Sequence, residues 1–229
     1  DDPSELRVAN IAGNRNGWNG VDYTVFNDAH KAKIRAHYAA LVKQIDHEVG
    51  QIVAALRETD QLENTWIIFA SDHGDYLGDH DLIGKGQFYE GSIHVPMIVR
   101  PAGGTDPTVY PGLVELGDVT ATILSAAGCE IPDHMDSIPM PGLGWSDHEP
   151  RRRIVGMTSG GWMLYDGRWK LSKYSTGDVL LHDMESDPQE QTNLANQPDY
   201  QQRYLAMDAE LTQAIMESIV TANRDKALD

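Results

Sequence analysis

The longest amphipathic pattern in the chain begins near Asp28 and ends near Thr59-Asp60. Apolar residues recur there at intervals of three and four, which is the spacing of one face of an α-helix. They are Ile34, Tyr38, Leu41, Val42, Ile45, Val49, Ile52, Val53 and Leu56. Asp28 is a suitable N-cap residue. The pattern therefore predicts a helix whose apolar stripe packs against a core.

Two short apolar runs follow this helix, at residues 66–70 and 95–100. Continuous apolar runs of this length are typical of strands buried on both faces of a mainly parallel sheet. Helical spacing returns over residues 116–127, and Gly128 is a suitable residue to end that helix. Residues 1–28 are polar and rich in Gly and Asn, which predicts a loop.

The second half of the chain has shorter apolar segments. Residues 129–153 are rich in Pro, Gly and Asp, which indicates a linker. Candidate strands, separated by turn residues, cover residues 154–158, 161–165, 168–173 and 179–181. This spacing predicts an antiparallel meander, and residues 198–222 predict an amphipathic helix. The fold class is α/β, and we expect one α/β domain over residues 1–135 and a small α+β subdomain over 136–229.

Composition narrows the range of partners. The 229 residues contain 18 Lys and Arg against 35 Asp and Glu, a formal net charge of -17. So acidic a chain argues against nucleic-acid and anionic-membrane partners, since both need basic surfaces. The single cysteine, Cys129, excludes an intrachain disulfide. The chain begins at Asp1 without a Met or a secretory signal, so we expect part of a longer protein and leave the compartment open.

The stretch from Ser71 to Pro96 carries the candidate chemistry. Asp72 and His73 come directly after a predicted strand, where ligands of open α/β sheets bind. A carboxylate oxygen and an imidazole nitrogen suit a divalent cation, although two ligands need others to complete a site. Alternatively, Asp72 caps a turn and His73 binds a backbone carbonyl. Lys85 lies between two glycines, where it is either a clamp for a sulfate or phosphate oxygen or a solvated loop lysine.

Taken together, four segments resemble the sulfatases of the alkaline-phosphatase superfamily. They are residues 38–50, residues 67–74, the run from Gly78 through Lys85 to Pro96, and residues 181–188 with Glu190 and Asn193-Leu194. The last segment is similar to the family's late pattern Y-D-L-x-x-D-P-x-E-x-x-N-L. The resemblance implies the C-terminal portion of an alkaline-phosphatase-like mixed sheet with flanking helices, followed by a small antiparallel sheet with a C-terminal helix.

The resemblance also implies roles for individual residues. Asp72 and His73 match the two late ligands of the family's divalent cation, which is calcium, with manganese, magnesium or zinc as alternatives. Such an Asp-His pair occurs in iduronate-sulfatase-like, choline-sulfatase-like and phosphonate-monoester-hydrolase-like branches. Lys85 matches the catalytic lysine that holds a sulfate oxygen. His80 and His94 flank the site as substrate contacts or as ordinary loop residues, and Glu90 is interpreted as a loop anchor.

The family's nucleophile has no counterpart in these residues. Sulfatases make a formylglycine from the Cys or Ser of a C/S-x-P-x-R motif, and Cys129 lacks the proline and arginine of that motif. The early aspartates of the metal site and the first catalytic His and Lys are absent as well. We therefore expect this chain alone to be inactive and its formylglycine to lie in an upstream segment of the parent protein.

Three functions remain open at this point. The first is a fragment of a sulfatase that acts on a sulfate-ester small molecule or a sulfated carbohydrate, in a parent that is periplasmic or secreted. The second is part of a phosphonate or phosphodiester hydrolase of the same superfamily. The third is a noncatalytic metal-binding or assembly module. An exposed sheet edge would also allow a homo-oligomer to form.

Overall fold

The computed structural model describes residues 25–144, 149–158 and 160–226, with side chains as far as residue 220. The loop predicted over residues 1–28 lies outside these residues except at its end. The chain forms two compact units. The N-terminal unit runs to Lys85 and continues over Gly91–Pro150, and the C-terminal unit combines Gly86–Glu90 with the chain from Arg151 onward. The subdomain boundary near residue 135 stays a prediction.

The predicted long helix is present as α1, Asp28–Glu58. Its N-cap is Asn27 and not Asp28, because Asn27 has an extended backbone with ψ of 176° while Asp28 is already helical. The Asn27 side chain accepts a hydrogen bond from the His30 amide at 3.1 Å. The His30 ring accepts one from the Asn27 amide in return, at 3.3 Å. This reciprocal capping fixes the start of the helix.

The prediction that the apolar stripe of α1 forms core is wrong. Within the described residues no side chain of α1 is buried, and Leu41, Ile45 and Ile52 are 60%, 52% and 61% exposed. Periodicity places these residues on one face of the helix, but burial also requires a second element packed over that face.

Those two strands are β1, Ile67–Ala70, and β2, Met97–Arg100. They pair antiparallel, with Ile67 opposite Arg100, so the predicted parallel sheet buried on both faces is not what these strands form. An apolar run indicates burial but carries no information on strand direction. Each of these strands pairs with the other and is only partly buried. The helix predicted over residues 116–127 is present over Gly117–Ala126, and Gly128 follows in the left-handed region at φ +69°.

The C-terminal unit confirms the predicted meander. Strands β3 (Ile154–Thr158), β4 (Gly161–Tyr165), β5 (Trp169–Tyr174) and β6 (Val179–Asp183) lie in sequence order, each antiparallel to the next. The C-terminal helix, Gln201–Lys226, packs on this sheet through Met207 and Leu211. Together with buried leucines of β4, β5 and β6 these residues form the core of the unit.

The late sequence pattern after β6 has a structural explanation. Asn193 accepts hydrogen bonds from the amides of Leu181 and Ala195, at 3.0 Å each, and donates to the Val179 carbonyl at 3.0 Å. Asp187 accepts a bond from the Thr192 amide at 2.8 Å. The polar residues of this pattern therefore tie the returning chain to the edge of β6.

Candidate functional site

The loop after β1 is built from short-range hydrogen bonds. Asp72 accepts a hydrogen bond at Oδ1 from the His73 amide, at 3.0 Å. The Ser71 hydroxyl donates to the His73 carbonyl at 2.8 Å, and the Gly74 amide donates to the Ser92 carbonyl at 2.8 Å. A Cβ on Gly74 would lie 2.1 Å from the Gly91 carbonyl oxygen, so only glycine fits there. The backbone of Asp72 and His73 is held on both sides.

The imidazole of His73 is oriented by the backbone. Its Nδ1 lies 2.9 Å from the Gly74 carbonyl oxygen, which has no proton to donate, so Nδ1 carries the proton. Nε2 therefore carries the lone pair of the ring, and it lies 3.2 Å from Oδ2 of Asp72. Metal-binding histidines commonly have this arrangement, with the second ring nitrogen fixed by a backbone acceptor.

Lys85 reaches the same nitrogen. Its ammonium contacts Nε2 of His73, although the two residues are 12 positions apart. The glycines on either side have positive φ, +83° at Gly84 and +122° at Gly86. Gly84 is itself held, because its amide donates to Asp75 at 3.2 Å and its carbonyl accepts from the Tyr76 amide at 2.9 Å.

The structure thus brings Asp72, His73 and Lys85 together, all in the N-terminal unit, and places His80 and His94 differently. His80 is half-buried in a 3-10 turn with φ of +53°, and His94 is exposed in the segment before β2. Over the described ranges, no three His, Cys, Asp or Glu side chains are arranged to hold a metal ion. Neither histidine therefore completes a three-ligand site with Asp72 and His73.

The Asp72–His73 pair fits a cation site in part. A hard carboxylate oxygen and an imidazole lone pair converge within 3.2 Å, and the Asp72 side chain is 83% exposed and open to an ion. Calcium takes six to eight oxygen ligands, so this pair supplies only a fraction of such a shell. The described residues therefore supply only some of the ligands that a cation site needs.

Sequence reasoning missed two polar groups. Asp75 organises the loop, since its Oδ1 also accepts the Leu77 amide at 2.8 Å, but a loop aspartate gives no sequence signal for this role. In the C-terminal unit, Lys170 is buried between Glu90 and Glu190. The available signal was a lysine between Trp169 and Leu171 in a predicted strand. The interpretation of Glu90 as a loop anchor agrees with this ion pair.

Comparison with known proteins connects this geometry to a family. The family model described as Sulfatase matches residues 12–129. The chain is 32% identical over 189 residues to an arylsulfatase of Clostridium perfringens (strain 13 / Type A), covering 78% of this chain and 39% of the relative. It is 31% identical over 195 residues to arylsulfatase K of Xenopus laevis, covering 75% of this chain and 35% of the relative. The chain thus spans between about a third and two fifths of these relatives.

Solved structures agree on the fold. A phosphonate monoester hydrolase of Agrobacterium radiobacter superimposes with a TM-score of 0.73 at 26% identity, over 84% of this chain and 43% of the other. A 2-O GAG sulfatase superimposes with a TM-score of 0.72 at 25% identity, over 94% and 47%. The predicted fold class, the C-terminal portion of an alkaline-phosphatase-like α/β fold, is confirmed. In the part of the chain that the structure describes, no helix has the length and apolar character to cross a membrane.

Proposed function

Because this chain belongs to the sulfatase family, we propose that it forms the cation-binding and sulfate-binding part of a sulfuric-ester hydrolase site. One observation carries the proposal. Nε2 of His73 lies 3.2 Å from Asp72 Oδ2 and is contacted by the Lys85 ammonium, which joins a cation-ligand pair and an anion-binding group.

Asp72 and His73 are the ligands that this chain provides to a divalent cation, and we expect calcium. When bound, the cation stabilises negative charge that develops on the oxygens of the transferring group. The backbone acceptor at Gly74 keeps the His73 ring in the tautomer that presents Nε2. Asp72 adds a formal negative charge beside that nitrogen, which favours the binding of a cation over that of an anion at this point.

Lys85 is the group that binds a sulfate oxygen. Its exposed side chain ends in a compact positive charge that is well suited to a tetrahedral anion. Electrostatic stabilisation of this kind is worth most when the donor is already in place before the reaction. We propose His80 and His94 as substrate contacts, the role that the resemblance to the family suggests.

The nucleophile comes from outside these 229 residues, because they contain no C/S-x-P-x-R motif. In the family a formylglycine would supply this nucleophile, with the alcohol of the sulfate ester as the leaving group. The described residues bind and neutralise the sulfate group and do not attack it. The substrate is a sulfate ester of a small molecule or of a sulfated carbohydrate, a class consistent with the arylsulfatase and GAG sulfatase names of the relatives.

The proposal is tested in the protein encoded by the complete reading frame that contains this chain. We expect hydrolysis of 4-nitrophenyl sulfate by the wild type and a loss of roughly 100-fold or more in kcat/KM for Lys85→Ala. Lys43→Ala, an exposed lysine of α1, is the matched control and should retain activity. Faster hydrolysis of a phenyl phosphonate ester than of the sulfate would move the protein to the phosphonate hydrolases. Absence of both activities would overturn the proposal.

A further inference from the structure

One carboxylate closes the loop that joins the cation-binding pair to the anion-binding lysine. Oδ1 of Asp75 accepts hydrogen bonds from the Leu77 amide at 2.8 Å and from the Gly84 amide at 3.2 Å. These donors lie two and nine positions beyond Asp75, so a single oxygen ties the start of the loop to its end. We call residues 76–84 the bridging loop, which lies wholly in the N-terminal unit.

The backbone of the bridging loop has a conformation that it would not adopt by itself. Leu77, His80 and Asp81 have φ of +51°, +53° and +55°, in the left-handed region that non-glycine residues seldom occupy. Such conformations persist only where surrounding contacts determine them. The shape of the loop therefore depends on the hydrogen bonds that close it, and loss of these bonds allows the loop to relax.

Ion pairs from α1 also reach this loop, but they constrain it less than Asp75 does. Arg35 pairs with Asp79 at 2.7 Å and Lys31 pairs with Asp81 at 2.5 Å, yet these two aspartate side chains are 61% and 48% exposed. Exposed ion pairs contribute little, because solvent screens them and their long side chains lose conformational freedom. Asp75 is half-buried, and a carboxylate that accepts backbone amides forms charge-assisted hydrogen bonds, which are stronger than neutral ones.

The backbone of the cation-binding pair is held separately. The Gly74 amide donates to the Ser92 carbonyl at 2.8 Å, a bond that does not involve Asp75. Lys85, in contrast, follows directly on Gly84, whose amide is bound by the Asp75 carboxylate. Loss of this carboxylate should therefore displace the lysine and leave the cation-binding pair in place.

We propose that Asp75 is a positioning residue, whose carboxylate fixes the backbone of Lys85 through the Gly84 amide. The value of this positioning for sulfate binding and catalysis rests on the proposed function, but the positioning itself does not. Asp75→Ala removes the acceptor of both hydrogen bonds. Asp75→Asn keeps an acceptor oxygen of the same length without the charge. The Asn variant should consequently behave like the wild type, and the Ala variant should not.

The first test measures the placement of Lys85 by crystallography of the protein encoded by the complete reading frame. We expect Asp75→Ala to shift the Lys85 Cα relative to the His73 Cα by about 1 Å, a displacement large enough to impair catalysis. Asp75→Asn should leave this separation at its wild-type value. Asp79→Ala is the matched control, because it removes a carboxylate and an ion pair from the same loop and keeps the Asp75 acceptor. It should leave the separation unchanged.

Two results would overturn the proposal. One is a wild-type position of Lys85 in Asp75→Ala, which would mean that the loop keeps its shape without this carboxylate. The other is an equal displacement in Asp79→Ala, which would mean that loss of any carboxylate from the loop moves the lysine. If Asp75→Ala does not fold, Asp75→Glu decides by the same criterion, because it keeps the charge and moves the acceptor by one methylene. Since no activity is measured, the outcome does not depend on the substrate.

The second test separates positioning of Lys85 from a general loosening of the site. In the same protein we expect Asp75→Ala to raise the inhibition constant of inorganic sulfate roughly tenfold, since a charge-assisted contact depends on distance and alignment. The dissociation constant for calcium, measured by titration calorimetry, should be no weaker than in the wild type. Asp75→Asn should restore sulfate binding. Weaker binding of both ions in Asp75→Ala contradicts the positioning role.

The third test is a double-mutant cycle on hydrolysis of 4-nitrophenyl sulfate. We expect Asp75→Ala to lower kcat/KM roughly 10- to 100-fold, the size of effect that a displacement of about 1 Å produces. In a Lys85→Ala background the same change should cost less than about twofold, since both act through one group. A full additional loss in that background overturns the proposal. An inactive wild type would instead remove the proposed function and leave the crystallographic result to decide the positioning.

Discussion

The ammonium of Lys85 contacts Nε2 of His73, so it would compete with a bound cation for the lone pair of that nitrogen. Nε2 has one lone pair, which either accepts the hydrogen bond from Lys85 or binds a cation. A cation on His73 would thus release Lys85 toward a bound anion. The contact links the two binding functions that we assign to this loop.

Lys85→Met should strengthen divalent-cation binding. The substitution removes both the competitor for Nε2 and a positive charge beside the site, worth about 1 kcal/mol at 4 Å in water. We expect the dissociation constant for calcium to fall roughly fivefold, measured by titration calorimetry on the protein of the complete reading frame. Lys43→Met is the control for loss of charge alone. A weaker affinity in Lys85→Met would show that the lysine supports the cation site.

Asp72→Ala and His73→Ala should each weaken cation binding in the same assay. Each removes one ligand, and the loss of ligands from a shell lowers affinity directly. Asp46→Ala removes an exposed carboxylate from α1 and should leave the affinity unchanged. If calorimetry gives the wild-type affinity for both Asp72→Ala and His73→Ala, the metal assignment is wrong.

Leu171→Ala should destabilise the C-terminal unit by about 2 to 5 kcal/mol, because Leu171 is fully buried and its truncation leaves a cavity. The same substitution at Leu41, which is 60% exposed on α1, should change stability by less than about 0.5 kcal/mol. Denaturant titration followed by tryptophan fluorescence measures both. Equal losses would mean that the α1 stripe is covered in solution.

Asp183→Asn should reduce stability at neutral pH and have little effect in acid. Two hydrogen bonds from Arg168, at 3.0 and 2.8 Å, hold the pKa of the Asp183 carboxyl below its ordinary value of 3.8. A lowered folded-state pKa contributes stability above the unfolded-state pKa, and this contribution is lost as the pH falls through the folded-state value.

The free energy of unfolding of the wild type should therefore exceed that of Asp183→Asn at pH 7. This difference in the free energy of unfolding should become smaller below about pH 5 and approach zero under strongly acid conditions. Asp106→Asn, in an exposed loop, is the control and should show no such convergence. A difference that is constant from pH 7 to strong acid would mean that the charge of Asp183 does not stabilise the fold.

Sequence reasoning succeeded where the signal was local. The placement of Asp72 and His73 followed from their position directly after an apolar run, and β3 to β6 followed from alternation and turn residues. It failed for burial and strand direction, because these depend on which elements pack together in the folded chain. The periodicity of α1 defined an apolar face but not its burial, and the apolar character of β1 did not determine the direction of its partner.

The ion pairs of Lys170 with Glu90 and Glu190 could not have been predicted for the same reason. Glu90 and Lys170 are 80 positions apart, and Glu90 and Glu190 are 100 apart. No spacing rule for helices or strands relates residues at such separations. The sequence offered only the isolated observations that Lys170 lies between Trp169 and Leu171 and that Glu190 belongs to a recognisable pattern.

These separations affect how the chain emerges from a ribosome. The Glu90 amide can meet Glu190 only after 100 further residues have been synthesised, which takes about 5 to 20 seconds at ordinary rates of translation. During that interval Phe88 and Tyr89 lack the strands that later cover them. We therefore expect nascent chains arrested between residues 90 and 170 to bind chaperones through this short aromatic segment, and longer ones to release them once β5 and β6 have formed.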